Sequence, residues 1–175
     1  MTAPLVAIPF DESLLPHVQG FSCGEESYEL ELADWIRLES VPAIQRGCKV
    51  WLYANEAREV VAYSSLAITR WRYPTPADKR VSLAVIPAVA IQKPFWGKPD
   101  GLPEGRYSSQ ILDHLLDEAA RLPLDESMIG LFVHPDNGRA VRAYERAGFR
   151  HFSNTYTDPA TGVVYSSMVR RLDRV

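Results

Sequence analysis

Apolar residues change their spacing along this chain, and the changes outline its elements. Short apolar runs typical of strands lie at Leu5–Phe10, Cys48–Ala54, Glu59–Thr69, Val81–Ile91, Met128–Val133, Phe149–Thr157 and Val163–Val169. Apolar residues three and four positions apart predict helices over Glu25–Glu39, Ser108–Leu122 and Asn137–Ala147. This order predicts an α/β fold with a mixed, mostly antiparallel sheet of about six to seven strands and flanking helices.

Proline and glycine residues mark where these elements end. Pro42 is expected to break the first helix, with one further helical turn before Gly47. Prolines also predict a loop over Trp71–Arg80. The stretch Lys93–Arg106 interleaves three prolines with three glycines, so we expect it to lack regular structure. Since no linker or repeat separates these elements, residues 1–175 are expected to form one domain.

The composition is that of an ordinary globular protein, with 46% hydrophobic and 23% charged residues. A formal net charge of −3 gives no overall attraction to nucleic acid or to an anionic membrane. We see neither a signal peptide nor a membrane span, so the expected location is cytoplasmic. Cys23 and Cys48 show no metal-ligand spacing, and free thiols with no metal site are the expectation.

The most informative stretch runs from Leu131 to Arg150, where a strand, a turn and a short helix follow one another. Asp136 or Asn137 can cap the helix, and Gly148 suits its C-terminus. Asn137, Ala140 (or Val141) and Tyr144 fall three or four residues apart and share one face. An amide and a phenol on one face suit ligand binding and proton donation. The same pattern is also typical of a helix cap and an amphipathic core tyrosine.

This stretch resembles the C-terminal motif of the GCN5-related N-acetyltransferase (GNAT) superfamily, a strand followed by N-x-x-A-x-x-x-Y-E-x-x-G-F. The matching residues, in order and spacing, are Asn137, Ala140, Tyr144, Glu145, Gly148 and Phe149. The order of elements also resembles the GNAT order over nearly the whole chain. The resemblance implies an N-acetyltransferase that moves an acetyl group from acetyl-CoA to a primary amine of a small molecule or peptide by direct attack.

The resemblance also implies roles for individual residues. Tyr144 would act as general acid toward the departing sulfur, and backbone amides at the end of the Val85–Ile91 strand would stabilise the oxyanion. His134 is the candidate general base, with proton removal through ordered water as the alternative. The implied cofactor-binding residues are Ala88, Val89, Ile91, Gly105, Arg106, Tyr107, Ser108, Ser109, Asn137, Ala140 and Tyr144.

The loop from Lys93 to Ser109 departs from the family pattern. Family members usually read Q/R-x-x-G-x-G/A here, and the backbone amides of that loop hold the pyrophosphate of coenzyme A. This chain instead has a longer loop with Gly97, Gly101 and Gly105. We expect phosphate contacts from Gly105 to Ser109. An inserted surface loop without such contacts is the alternative.

A second, shorter resemblance points to the toxin-type branch of these acetyltransferases. It rests on Phe21-x-Cys-Gly24, on Trp35-Ile36 and on the segment Val60–Leu66. Members of that branch acetylate aminoacyl-tRNA and are held off by an antitoxin. Arginines from Arg139 to Arg150 suit tRNA, but a solvated helix face explains them equally, and the acidic chain does not favour tRNA. A catalytically silent acyl-CoA-binding module and a homodimer also remain open.

Overall fold

A computed structural model describes residues 4–72, 79–99 and 105–173 of the chain. The helices and strands are β1 (Val6–Pro9), α1 (Ser27–Asp34), α2 (Ser40–Gln45), β2 (Lys49–Ala54), β3 (Val60–Arg72), β4 (Arg80–Ile86), β5 (Val89–Ile91), α3 (Tyr107–Ala120), β6 (Met128–Val133), α4 (Gly138–Arg146), β7 (Arg150–Thr157) and β8 (Val164–Arg171). Two 3-10 turns, Glu12–Val18 and Lys93–Phe95, and a π-helical turn, Trp35–Glu39, lie between them.

The strands pair in the order β1-β2-β3-β4-β6-β8-β7, and β5 pairs with β3. The β4–β6 pair is parallel and the other described pairs are antiparallel. The predicted α/β fold with a mixed, mostly antiparallel sheet is therefore confirmed, with 8 strands. The count exceeds the expectation because the apolar run Val81–Ile91 forms two strands. Pro87 interrupts the run, since proline has no N–H group to donate to a neighbouring strand.

The chain forms two compact units, which are described separately. Unit 1 comprises residues up to 66 and residues 88–114, and unit 2 comprises residues 67–87 and 115–175. Strand β3 contributes to both units. Its residues 60–66 pair with β2 in unit 1, and its residues 67–72 pair with β4 in unit 2. The expectation of one domain over residues 1–175 stays a prediction.

In unit 1, aromatic packing holds α1 and the turn after it against β3. The fully buried Tyr63 ring stacks parallel to Trp35 at 5.7 Å and meets Phe21 edge-on at 5.2 Å. The Tyr63 hydroxyl donates to the Leu32 carbonyl at 2.6 Å. Buried aromatic rings contribute large apolar areas, and here one hydroxyl also ties the helix backbone to the strand.

In unit 2, strand β6 lies between β4 and β8 and carries the chain toward α4. Ile129 and Leu131 are almost fully buried on one face of β6. Gly130 faces the other way, where a Cβ atom would lie 2.6 Å from the Trp71 indole ring. Glycine is therefore needed for the close approach of Trp71. This packing fixes the position of β6, and His134 and Asn137 follow directly after the end of that strand.

Three predictions for the connecting segments are wrong in detail. The first helix does not end at Pro42, because the π-helical turn leads into α2 and Pro42 lies in the first turn of α2, where proline is tolerated. Trp71 and Arg72 extend β3, and residues 73–78 of the predicted loop lie outside the described residues. Lys93–Phe95 forms a 3-10 turn inside the stretch that was expected to be irregular.

Candidate active site

The C-terminus of α4 is a Schellman motif built on the sequence from Tyr144 to Phe149. The Phe149 N–H donates to the Tyr144 carbonyl at 3.0 Å, and the Gly148 N–H donates to the Glu145 carbonyl at 3.0 Å. Gly148 has a φ of +83°, a conformation that glycine adopts without strain. The Tyr144 and Phe149 rings pack with centroids 5.8 Å apart. These contacts fix the position of Tyr144 at the end of the helix.

The Tyr144 side chain is only 9% exposed. Its hydroxyl makes no hydrogen bond with any residue that the structure describes. Burial raises the pKa of the Tyr144 phenol, because a phenolate is poorly solvated there. The phenol therefore stays protonated near neutral pH. The hydroxyl is not among the fully buried atoms that lack a partner, so it retains some exposure and is available to donate to a ligand.

Asn137 forms the N-terminal cap of α4, one of the two capping residues that the sequence offered. Its Oδ1 atom accepts a hydrogen bond from the Ala140 N–H at 3.1 Å. Asn137 and Ala140 are half-buried and Tyr144 is buried. The face of α4 that carries these three residues therefore turns away from bulk solvent.

His134 lies at the end of β6 and is 9% exposed. Its Nδ1 atom accepts a hydrogen bond from the Asp136 N–H at 3.1 Å, and its ring meets Tyr165 edge-on at 5.4 Å. A neutral imidazole that accepts at Nδ1 carries its proton on Nε2. The lone pair that a general base would use is thus engaged in the turn before α4.

In unit 1, a buried serine binds the backbone of Ala88, the residue just before β5. The Ser65 Oγ atom donates to the Ala88 carbonyl at 2.8 Å and accepts from the Ala88 N–H at 2.8 Å. Ser65 is fully buried. One hydroxyl thus satisfies both backbone groups of the residue that follows Pro87, which keeps β5 next to β3 despite the break.

Strand β5 directs two N–H groups away from β3. The Gln92 N–H donates to the Val61 carbonyl at 2.8 Å, on the side of the strand that faces β3. Because backbone groups alternate along an antiparallel strand, the N–H groups of Val89 and Ile91 point to the opposite side. The Trp96 indole N–H donates to the Ile91 carbonyl at 2.9 Å and so fixes that edge.

Helix α3 begins at Tyr107, one residue before the predicted start at Ser108. The Tyr107 N–H donates to the Lys98 carbonyl at 2.7 Å. The Nε atom of the preceding residue, Arg106, is buried and has no hydrogen-bond partner among the described residues. An unpaired buried donor of a charged group is costly. An acceptor that is not among the described residues would remove this cost.

The predicted site residues fall into two local groups. Unit 1 contains Ala88, Val89 and Ile91 at β5, and Gly105–Ser109 at the start of α3. Unit 2 contains His134, Asn137, Ala140 and Tyr144 at the end of β6 and on α4. Gly101 lies outside the described residues.

Sequence reasoning missed the residues that support these groups. They are Ser65, Trp96 and a hydrogen-bonded set formed by Tyr53, Ser64 and His114. No motif marks them, because their contacts depend on strand register and on the rotation of a helix.

Two further properties concern only the part of the chain that the structure describes. No group of His, Cys, Asp or Glu side chains there is arranged to hold a metal ion. None of the helices described has both the length and the apolar character needed to cross a membrane.

No family model and no curated protein matches the chain. Solved structures do match it. A protein described as a GnaT-family acetyltransferase from Bordetella pertussis is 18% identical, with a TM-score of 0.64 over 97% of each chain. AAC(6')-Ib, solved in complex with paromomycin and acetyl-CoA, is 16% identical, with a TM-score of 0.64 over 96% of this chain and 93% of that one.

A third match is a variant of the toxin AtaT bound to the C-terminus of the antitoxin AtaR. It is 16% identical, with a TM-score of 0.58 over 93% of this chain and 91% of that one. Identities this low establish the fold alone. Over nearly its whole length, this chain has the fold of the GCN5-related N-acetyltransferases.

Proposed function

We propose that this chain transfers an acetyl group from acetyl-CoA to a primary amine of a small molecule or peptide. The observation that carries the proposal is the Tyr144 phenol. Its ring is largely buried, its hydroxyl is protonated and has no hydrogen-bond partner among the described residues, and a Schellman motif holds it in place. The GNAT fold supports the choice of cosubstrate, since AAC(6')-Ib was solved with acetyl-CoA.

The start of α3 fits a cosubstrate that carries phosphate groups. The Tyr107 N–H already donates to the Lys98 carbonyl, but the next amides in the first turn of a helix have no partner within the helix and attract anions. Arg106, the residue before α3, adds a positive charge, and its Nε atom has no partner among the described residues. Ser108 and Ser109, in the first turn, add hydroxyl groups. We therefore assign the pyrophosphate of acetyl-CoA to Gly105–Ser109.

Acetyl-CoA supplies an activated acetyl thioester, and the chain supplies hydrogen bonds and a proton. The outward N–H groups of Val89 and Ile91 suit the pantetheine arm and the acetyl oxygen, where negative charge develops during attack. Tyr144 gives its proton to the departing sulfur. Because Nδ1 of His134 is engaged by the Asp136 N–H, we propose that ordered water, rather than His134, removes the proton of the attacking amine.

The experiment is turnover of acetyl-CoA against a panel of primary amines, with release of free thiol as the readout. Tyr144→Phe keeps the ring and its contact with Phe149 but removes the proton donor. We expect its kcat to fall about 100-fold, a typical contribution of a general acid, with the Kd for coenzyme A unchanged. Tyr156→Phe, at a tyrosine that is 48% exposed, is the control and should retain wild-type kcat.

Two outcomes would contradict this assignment. Wild-type kcat in Tyr144→Phe would remove the general-acid role. Binding of coenzyme A without turnover of any amine would identify the chain as a catalytically silent acyl-CoA-binding module.

The second candidate is acetylation of aminoacyl-tRNA, and an exposed row of arginines favours it. Arg139, Arg142 and Arg146 on α4 and Arg150 at the start of β7 are all exposed. A local basic surface can bind RNA even on an acidic protein. AtaT shows that a toxin has this fold. Binding of aminoacyl-tRNA that weakens steeply between about 50 and 200 mM salt would support this candidate, and absence of binding would leave the small amine.

A further inference from the structure

Unit 1 contains a chain of three hydrogen-bonded side chains that the proposed reaction does not use. The Tyr53 hydroxyl lies 2.8 Å from the Ser64 Oγ atom and 2.8 Å from the His114 Nδ1 atom. Ser64 is fully buried and Tyr53 is 2% exposed. Because Tyr53 belongs to β2, Ser64 to β3 and His114 to α3, these bonds tie a helix to two neighbouring strands.

His114, whose Nδ1 atom bonds to Tyr53, lies on the buried face of α3. His114 follows Tyr107 by about two helical turns and lies on the same stripe as Ile111 and Leu115, which are almost fully buried. Apolar contacts have no preferred direction, whereas a hydrogen bond requires a defined distance and angle. The His114 ring also meets Trp51 edge-on at 5.0 Å. These contacts therefore select one rotation and one axial position of α3.

Stability alone does not account for polar groups at this position. A buried hydrogen bond contributes little net free energy, because the desolvation of both partners offsets most of the interaction. Apolar residues of similar volume are often as stabilising as a buried polar pair. Buried polar groups do have a documented use in fixing the register between packed elements. The bonds from Tyr53 are thus better explained by the placement of α3 than by its stability.

We propose that Tyr53 and His114 are positioning residues for the pyrophosphate of acetyl-CoA and act through the N-terminus of α3. This inference rests on the proposed function. A slip of one residue along a helix moves its end by about 1.5 Å and turns it by about 100°. Misplacement by about 1 Å is enough to weaken a site markedly. The bonds at Tyr53 prevent such a slip.

The first turn of α3 carries a second tie that agrees with this role. The Gln110 Oε1 atom accepts from the Leu5 N–H at 2.8 Å, and Gln110 Nε2 donates to the Gly105 carbonyl at 3.2 Å. Gln110 thus holds the residue before Arg106, where the phosphate contacts are proposed. The position of the helix end is therefore fixed by side chains on two successive parts of α3.

The test uses acetyl-CoA and S-acetylpantetheine, which carries the same thioester but lacks the pyrophosphate. In Tyr53→Phe and His114→Leu we expect kcat/KM for acetyl-CoA to fall about tenfold, the effect of losing one hydrogen bond to the charged pyrophosphate. We expect kcat/KM for S-acetylpantetheine to stay unchanged. Calorimetry with coenzyme A, which has no acetyl group to transfer, should show its Kd rising by the same factor. His114→Asn retains a polar atom near the position of Nδ1 and should restore most of the affinity.

The control is His151→Leu, at an exposed histidine on β7. This substitution should leave kcat/KM unchanged for both cosubstrates. Equal losses with both cosubstrates, or unchanged affinity for coenzyme A in all variants, would overturn the positioning role. If Tyr53→Phe does not fold, the comparison of His114→Leu with His114→Asn decides, because His114 is only half-buried. A wild-type chain that binds no coenzyme A would contradict the proposed function itself, so the two failures are distinguishable.

Discussion

Residues 19–26 form the connector between the 3-10 turn Glu12–Val18 and α1, and at Gly24 the absence of a Cβ atom decides how this connector meets α1. Gly24 has a φ of +142°, a region that residues with a side chain rarely adopt. A Cβ atom there would lie 1.8 Å from the Glu29 carboxylate. That buried carboxylate accepts from the Glu26 N–H at 2.9 Å and completes the capping box of α1. The short Phe-x-Cys-Gly motif thus has a structural role at the start of a helix.

Gly24→Ala is expected to lower the free energy of unfolding by about 2–4 kcal/mol, because backbone strain adds to the loss of a helix cap. Urea unfolding measures the change. Gly20→Ala is the matched control in the same connector, where a Cβ atom would meet nothing within 4 Å. It should change the free energy of unfolding by less than about 0.5 kcal/mol. A loss at Gly24 no larger than the loss at Gly20 would contradict this account.

Among the elements, α4 was predictable from the sequence because its ends depend on nearby residues. Asn137 caps an amide three residues away, and Gly148 closes a turn whose bonds span at most five residues. The pairing of β5 with β3 was not predictable. It depends on Ser65, a residue distant in sequence that holds Ala88 after the proline break.

Gly148→Ala tests whether the end of α4 positions Tyr144. The nearest atom to an added Cβ is 3.6 Å away on Arg170, so the cost is backbone strain of about 1 kcal/mol rather than a clash. Gly162→Ala is the matched control, with a φ of +73° and nothing within 4 Å. We expect both variants to lose similar stability in thermal or urea unfolding. Only Gly148→Ala should lower kcat. An equal kcat in the two variants would contradict the idea that the Schellman motif positions Tyr144.

At the scale of the whole molecule, the order of elements and one dense motif were enough to predict the fold. The residues of the candidate site stay a prediction from the sequence, and their hydrogen bonds could not be read from it. The outward direction of the Val89 and Ile91 amides follows from strand register, and the engaged lone pair of His134 follows from the turn after β6. The unpaired Nε atom of Arg106 depends on burial, which no local pattern records.

The stability of the whole molecule at alkaline pH should report on one buried thiol. Burial, aided by the nearby Glu29 carboxylate, raises the pKa of Cys23 from 9.0 to about 11. Between these two values the unfolded chain loses the thiol proton while the folded chain keeps it. The stabilisation is therefore complete below about pH 9 and is lost as the pH rises toward 11. From about pH 8 to pH 10.5, wild type should lose about 1–2 kcal/mol more unfolding free energy than Cys23→Ala. Cys48 is present in both proteins and cancels, so parallel pH profiles in urea unfolding would contradict a shifted Cys23.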